Sequence, residues 1–235
     1  MQQNKRMIWT DELVEKLRWL NELGYANKVI AEELGCSVDQ IKYKLSGIRK
    51  KDNTYNSDHV EEKYSINTDF FWDINPKSIL DPFCGIKRFW KQFESKEVVV
   101  VDNDKEQKFS ADFHEDAKKL LKTMFKLKVK FDMVDIDPYG DCFSCIDLAI
   151  QIAEKGLIIT NGFLKNNRFE SKKGKNSFFR INYGDSFIPT CEGLENYIIE
   201  RARAFGKKLT VYAHCPKWKN CDRIWFIVEK MEKGE

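Results

Sequence analysis

The chain has 235 residues, enough for a sizeable core plus one small accessory domain. Charged residues make up 33% and nearly cancel at +3, so any nucleic-acid affinity has to come from local patches and not from overall charge. No run of about 18 apolar residues offers a membrane span, and the start, MQQNKRMIWT, lacks the apolar core of a signal peptide, so a cytoplasmic protein with no membrane partner is expected.

Residues 1–52 read as a small all-α domain. Thr10 is the expected N-cap of a first helix carrying Leu13, Leu17, Leu20 and Leu23 at helical spacing and stopping at Gly24. A second helix from Asn27 buries Val29, Ile30 and Leu34 and ends at Gly35. A third runs from about Val38 through Ile41 and Leu45, with Lys42, Lys44, Arg49, Lys50 and Lys51 on or just after it and no acid between Ile41 and Lys51. Residues 53–68 are polar, show no sustained periodicity, and read as a linker.

From residue 69 to 235 strands and helices alternate, which calls for a parallel sheet covered on both faces. Ser78-Ile79-Leu80 leads into the loop Asp81-Pro82-Phe83-Cys84-Gly85 and a helix from about Ile86 to Phe93. Glu97 to Val101 forms a second strand that stops at Asp102, the distance from Gly85 at which a βαβ unit brings an acid to ribose hydroxyls. After a polar stretch with Asp112, His114, Glu115 and Asp116 comes a helix through Leu120, Leu121 and Phe125. The third strand, Phe131 to Ile136, runs into Asp137-Pro138-Tyr139-Gly140. A buried strand of a parallel sheet delivers functional groups from its carboxyl end, and here it delivers a carboxylate, a proline-held carbonyl and a ring. The first two can accept both protons of one amino group while the ring stacks on a planar base, which suits methylation of an exocyclic amine.

A helix from Phe143 to about Glu154 and a strand from Gly156 to Thr160 follow. The next loop carries Lys165, Arg168, Lys172, Lys173, Lys175 and Arg180 with Phe163, Phe169, Phe178 and Phe179 interleaved, the mixture used by a surface that tracks a nucleic-acid backbone and stacks bases. A helix from about Leu194 to Phe205 precedes two strands, Leu209 to Ala213 and Arg223 to Val228, close enough in sequence to pair as an antiparallel hairpin. The seven cysteines read as free thiols. Cys142 and Cys145 form a C-x-x-C, and a zinc site with Cys215 and Cys221 is conceivable. The five residues between the second pair fit ribbon spacing poorly, so buried small thiols are expected and no metal ligand is assigned.

Two resemblances sharpen this reading. Trp9-Thr10 followed by IAEELGCSVDQIKYKL resembles the Myb- or resolvase-like members of the helix-turn-helix family. That implies a third helix in the major groove with Asp39, Gln40, Lys42 and Tyr43 facing base edges, and Lys44 and Arg49 as further contacts. Residues from about 70 onward resemble the class I S-adenosylmethionine-dependent methyltransferases. ILDPFCG is similar to their first motif, implying cofactor contacts from Asp81, Phe83 and Gly85. Asp102 matches the ribose position, and Asp116 in HEDA the acid that meets adenine. DIDPYG resembles the catalytic motif of tRNA guanine-N2 dimethyltransferases and, next, that of DNA amino-methyltransferases, implying catalytic roles for Asp137, Pro138 and Tyr139. The first motif departs from many relatives in having one glycine, and the catalytic motif has one proline where the DNA enzymes have two. Cytosine-C5 chemistry would need a Pro-Cys nucleophile, and the chain has only the reversed Cys215-Pro216. A nicotinamide enzyme would need G-x-G-x-x-G after the first strand.

The expectation is therefore an α/β, Rossmann-like, mostly parallel sheet with an antiparallel C-terminal hairpin, preceded by a helix-turn-helix domain. Its cofactor would be S-adenosylmethionine and its partner nucleic acid, with DNA favoured at N6-adenine or N4-cytosine. Guanine-N2 of tRNA is one alternative, and a DNA-binding regulator with a decayed methyltransferase domain is another.

Overall fold

The computed structural model describes residues 7, 9–22, 26–52, 60–162, 179–188, 190–215 and 221–231, with the side chains of 22 and 46–52 outside that description. The chain forms two compact units, residues 1–61 and 62–235. No described helix is long and apolar enough to cross a membrane.

In the first unit, helices α1 (Asp11–Glu22), α2 (Asn27–Leu34) and α3 (Val38–Asp52) bury Leu17, Leu20, Ile30, Ala31, Leu34, Ile41 and Leu45 against one another. Thr10 caps α1 by accepting the Leu13 N–H at 3.3 Å. Between α2 and α3 the chain turns through Gly35 and Cys36, and a reciprocal capping box starts α3. Ser37 Oγ accepts the Gln40 N–H at 3.2 Å and Gln40 Oε1 accepts the Ser37 N–H at 2.9 Å.

The second unit begins with a helix where the sequence suggests a linker. Residues 60–68 form the first part of α4 (Val60–Ile74), and 53–59 lie outside the described residues. The helical period was hidden because one of its core positions is polar. Asn67 lies fully buried one turn before Phe70 and Phe71, and its Oδ1 accepts from Trp225 Nε1 at 2.9 Å and Arg223 Nη2 at 3.3 Å.

The sheet comprises β1 (Ser78–Asp81), β2 (Val99–Asp102), β3 (Phe131–Ile136), β4 (Ala153–Asn161), β5 (Lys207–His214) and β6 (Asp222–Lys230), in the order β2-β1-β3-β4-β6-β5. The first four strands are parallel, and β6 runs antiparallel to both β4 and β5, giving the expected terminal hairpin. The segment expected as a helix from Ile86 is a set of turns followed by a short 3-10 helix, Phe89–Phe93. Its rings stack with α4 (Tyr64 on Phe89 at 4.4 Å, Phe71 on Phe93 at 4.1 Å), so tertiary contact shapes it more than propensity does.

Side-chain alternation sorts the core into two layers. Ile79, Met133, Ile158 and Trp225 face Phe70 and Phe71 of α4. Leu80, Val134, Ile136, Leu157, Ile159 and Phe226 face α5 (Ala117–Lys126), α6 (Phe143–Ile152) and α7 (Cys191–Ala204). Cys142 and Cys145 are buried in this second layer. From β1 the chain steps to β2 on one side and then returns to β3 on the other. That reversal opens a crevice at the carboxyl ends of β1 and β3, where open α/β sheets bind ligands.

Asn67 ties α4 to the sheet by polar contact. Asn67→Ala leaves buried Trp225 and Arg223 donors without their acceptor and is expected to cost about 1–3 kcal/mol, read as a lower urea midpoint at unchanged m-value.

Candidate active site

Four strands end at the crevice. β1 ends in Asp81, which is buried and accepts the Phe83 N–H at 3.2 Å, so the loop that follows turns back over the strand end. Gly85 in that loop has φ +56°, a backbone that favours glycine, and a Cβ there would meet no atom within 4 Å. Asn103, fully buried beyond β2, holds the cluster of loops together. Its Nδ2 donates to the carbonyls of Pro82 at 3.1 Å and Glu115 at 3.0 Å, its Oδ1 accepts the Glu115 N–H at 2.9 Å, and its own carbonyl accepts the Cys84 N–H at 3.0 Å. Sequence reading had no signal for this residue beyond its place after Asp102.

Asp102, expected to meet ribose, is buried at the end of β2 and already engaged. Arg88 clamps it from Nε at 2.6 Å and Nη2 at 3.2 Å, and the Asp112 N–H donates to it at 2.8 Å. Arg88 is about a quarter exposed and also lies 3.5 Å from Asp112, which is paired with Lys91 at 2.8 Å. Asp116, expected at adenine, caps α5 by accepting the Lys119 N–H at 3.0 Å. Phe83 is half-buried against the core. The loop, the glycine and the acid at the end of β2 fit an adenosine-containing cofactor, provided that Arg88 swings off Asp102. A cleft of about 690 Å³ adjoins Arg88, lined among others by Tyr64, Lys87, Phe89 and Lys91.

The carboxyl end of β3 carries the strongest electrostatics. Arg223, at the start of β6, is fully buried. Its Nη2 donates to Asp135 Oδ2 at 2.7 Å, its Nη1 donates to Thr160 Oγ1 at 2.5 Å, and Nη1 lies 3.4 Å from Asp137 Oδ2. Trp90 Nε1 also donates to Asp135 Oδ2, at 2.8 Å. Lys63 of α4 donates to Asp137 Oδ2. Burial pushes the Asp137 carboxyl up, but the Lys63 ammonium and the Arg223 guanidinium outweigh it and hold the group well below the usual carboxylate range. Asp81 shifts the other way. Burial first, then the nearby carboxylates of Asp135 and Asp137, drive it well above that range. Three acids thus share two cations, and Asp81, the one with no cation in direct contact among the described residues, is the one whose proton affinity rises.

Pro138 and Tyr139 follow. The Pro138 carbonyl, expected to accept a substrate proton, accepts the Gly140 N–H at 2.8 Å, because the chain folds into a tight turn there. Tyr139 is 82% exposed, an aromatic ring with no cover beside a charged site. The turn is pinned from behind. The Gly140 carbonyl accepts the Gly162 N–H at 2.7 Å, and Asp141 Oδ1 accepts from Tyr183 Oη at 2.5 Å and Asn161 Nδ2 at 3.2 Å.

On the first unit, Tyr43 is exposed, Lys42 lies 3.9 Å from Asp39, the Lys44 ammonium sits 5.5 Å from the centre of the Trp9 ring, and Gln40 is held in the capping box. The side chain of Arg49, and all of Lys172, Lys173 and Lys175, lie outside the described residues. Phe179, read as part of a base-stacking loop, is instead buried with Tyr183 in the core, where its ring stabilises more than it would on the surface.

Among solved structures the chain is similar to Trm1 from Pyrococcus horikoshii, determined with S-adenosyl-L-methionine, with a TM-score of 0.55 and 16% identity over 72% of this chain and 54% of that one. The fold is that of a Rossmann-like methyltransferase. The chain thus spans about half the length of Trm1. An O-methyltransferase from Bacillus cereus with SAH (TM-score 0.47, 12% identity, 94% of this chain and 93% of that one) and a putative SAM-dependent methyltransferase from Streptococcus mutans (0.44, 12%, 64% and 44%) lie further off, and no argument rests on them. No family model and no curated protein matches the sequence.

The two shifted carboxyls of this methyltransferase fold have opposite consequences. Asp137 binds its proton more weakly folded than unfolded, so its contribution to stability is full above the unfolded value of about 3.9 and is lost as pH falls. Asp81 binds its proton more tightly folded, so its contribution is full below that value and is lost as pH rises through the raised one. Urea midpoints measured against pH should therefore show a flatter acid limb for Asp137→Asn and, for the neutral mimic Asp81→Asn, no loss of stability at neutral pH.

Proposed function

We propose that this protein transfers a methyl group from S-adenosylmethionine to an exocyclic amine of a nucleic-acid base, with N6-adenine or N4-cytosine of DNA as the favoured target. The observation that carries the reading is the pairing, two residues apart at the end of a central strand, of a carboxylate held ionised with an exposed aromatic ring.

An exocyclic nitrogen is a poor nucleophile because its lone pair is delocalised into the ring. Asp137 is also a poor base, since two cations hold its carboxyl low, so it does not take the proton away. It accepts a hydrogen bond from the amino group and opposes the positive charge that grows on nitrogen as the carbon–nitrogen bond forms. Lys63 and Arg223 both contact Oδ2, and Oδ1 is the oxygen that would meet the amino proton. The Pro138 carbonyl keeps a second lone pair beyond its bond to Gly140, and Tyr139 stacks on a base flipped out of its helix. The spare proton leaves to solvent once the nitrogen is tetrahedral.

Phe83 and Gly85 would cradle the methionine part of the cofactor, the Asp81 carboxyl would lie beneath it, Asp102 would hold the ribose, and Asp116 would meet the adenine with its oxygen not used for capping. The cofactor supplies an electrophilic methyl group on a sulfonium. The first unit favours DNA because α3 presents Lys42 and Tyr43 to solvent from a firmly capped start. A second reading, guanine-N2 of tRNA, is favoured by the resemblance of DIDPYG to that family's catalytic motif.

The test is a transfer assay with methyl-labelled cofactor on duplex DNA, single-stranded DNA and tRNA, with modified nucleosides identified by mass spectrometry. Label on N6-adenine or N4-cytosine of DNA is expected. Label on N2-guanine would give the substrate to tRNA, and absence of both transfer and cofactor binding would leave a DNA-binding regulator. Asp137→Ala should lower kcat roughly 10²–10³-fold with cofactor Kd nearly unchanged. Arg88→Ala frees Asp102, and calorimetry should then show cofactor binding a few-fold tighter; weaker binding would mean that Arg88 itself holds the cofactor.

A further inference from the structure

A second cluster of reactive side chains lies at the same end of the sheet and takes no part in the chemistry above. Cys191 is the first residue of α7, His214 the last of β5, and Asp222 the first of β6. One ligand atom from each lies within 4.8 Å of the other two, and among the described residues theirs is the one grouping of this kind. Cys191 Sγ is in contact with His214 Nε2. Asp222 is buried, and Cys191 and His214 are half-buried, so this is not an exposed acidic patch.

The site is built from rigid parts. Thr190 caps α7 by accepting the Gly193 N–H at 3.1 Å, which sets the position of Cys191. Gly193 allows the preceding segment to lie against this first turn, since a Cβ there would fall 1.8 Å from the Ile188 carbonyl oxygen. On the sheet side His214 pairs with Ile224 and Asp222 with Asn161, so the hairpin register places both ligands at one edge. Behind the imidazole, Glu195 Oε2 lies 3.7 Å from His214 Nδ1. A carboxylate on that side of the ring favours a proton on Nδ1 electrostatically, which leaves Nε2 for a metal.

We propose that Cys191, His214 and Asp222 bind one zinc ion, with a fourth position open to water. Thiolate, imidazole and carboxylate together are a zinc donor set. Tetrahedral bonds of about 2.0–2.3 Å put ligand atoms roughly 3.5 Å apart, which the observed grouping accommodates. Because successive strand residues face opposite ways, Asp222 would reach the metal while Arg223 reaches Asp135 and Asp137 on the other face of β6. The ion would therefore fasten α7 to the hairpin that carries the buried arginine.

The test uses the full chain, stripped with chelator and dialysed against buffered zinc, with metal counted by mass spectrometry and Co²⁺ used as a spectroscopic probe. One zinc per chain is expected, together with a thiolate-to-cobalt charge-transfer band that is absent in Cys191→Ser and a thermal midpoint raised by zinc in the wild type but not in His214→Ala. Glu195→Gln should keep the stoichiometry and weaken zinc binding roughly 10–100-fold in a chelator competition. This conservative variant keeps the proposal testable if either ligand variant fails to fold. Substoichiometric zinc in the wild type, a charge-transfer band that persists in Cys191→Ser, or unchanged zinc affinity in Glu195→Gln would each overturn it.

Discussion

A guanidinium with no access to water has to be matched by carboxylates or the fold does not hold, and Arg223 imposes that demand on half of the second unit. It draws Asp135 from β3, Asp137 from just beyond it, Thr160 from β4 and Asn67 from α4 into a single cluster, and Lys63 completes the charge around Asp137. A hydrophobic residue at 223 would pack the same space without desolvating charge. The arginine therefore acts more as the partner that keeps two carboxylates in place than as a net source of stability.

The same cluster explains how two neighbouring strand ends hold acids whose proton affinities shift in opposite directions. Asp137 has both cations within reach, whereas for Asp81 burial and the carboxylates of Asp135 and Asp137 outweigh the Phe83 N–H and the more distant Lys63. Neighbouring environments that push carboxyls apart are a common mark of sites that do chemistry. On the far side of the crevice the balance is set by Arg88. It pairs with the acid that ends β2 and so puts that carboxylate under the control of one partly exposed side chain.

Polar residues do much of the architectural work. Asn103 ties three loops, Asn161 joins the loop after β3 to Tyr183, and Asn67 fastens α4 to the sheet. Asn103 uses both ends of its amide, Asn161 donates from Nδ2, and Asn67 shares one acceptor between two donors, all in a buried setting where an unmade hydrogen bond is costly. The apolar layers above and below the sheet could be filled by many sequences; these amides accept few substitutes.

Local signals in the chain determined the strands, the terminal hairpin, the three N-terminal helices with their Thr10 cap, and the placing of Asp81, Asp102 and Asp137 at strand ends. Periodicity, caps and turn residues act over fewer than about ten residues, and the local sequence carries them whole. What only the tertiary structure decided were the partners of those acids. Lys63 with Asp137, Arg88 with Asp102, Arg223 with Asp135 and Asn67 with Trp225 join residues 14 to 158 positions apart. Nothing in a local pattern says that Asn67 turns its face of α4 inward, so residues 60–68 read as linker until the sheet supplied its partners. The protonation states at the site belong to the same class, because a carboxyl's affinity for its proton depends on burial and on charges that only the folded chain brings near.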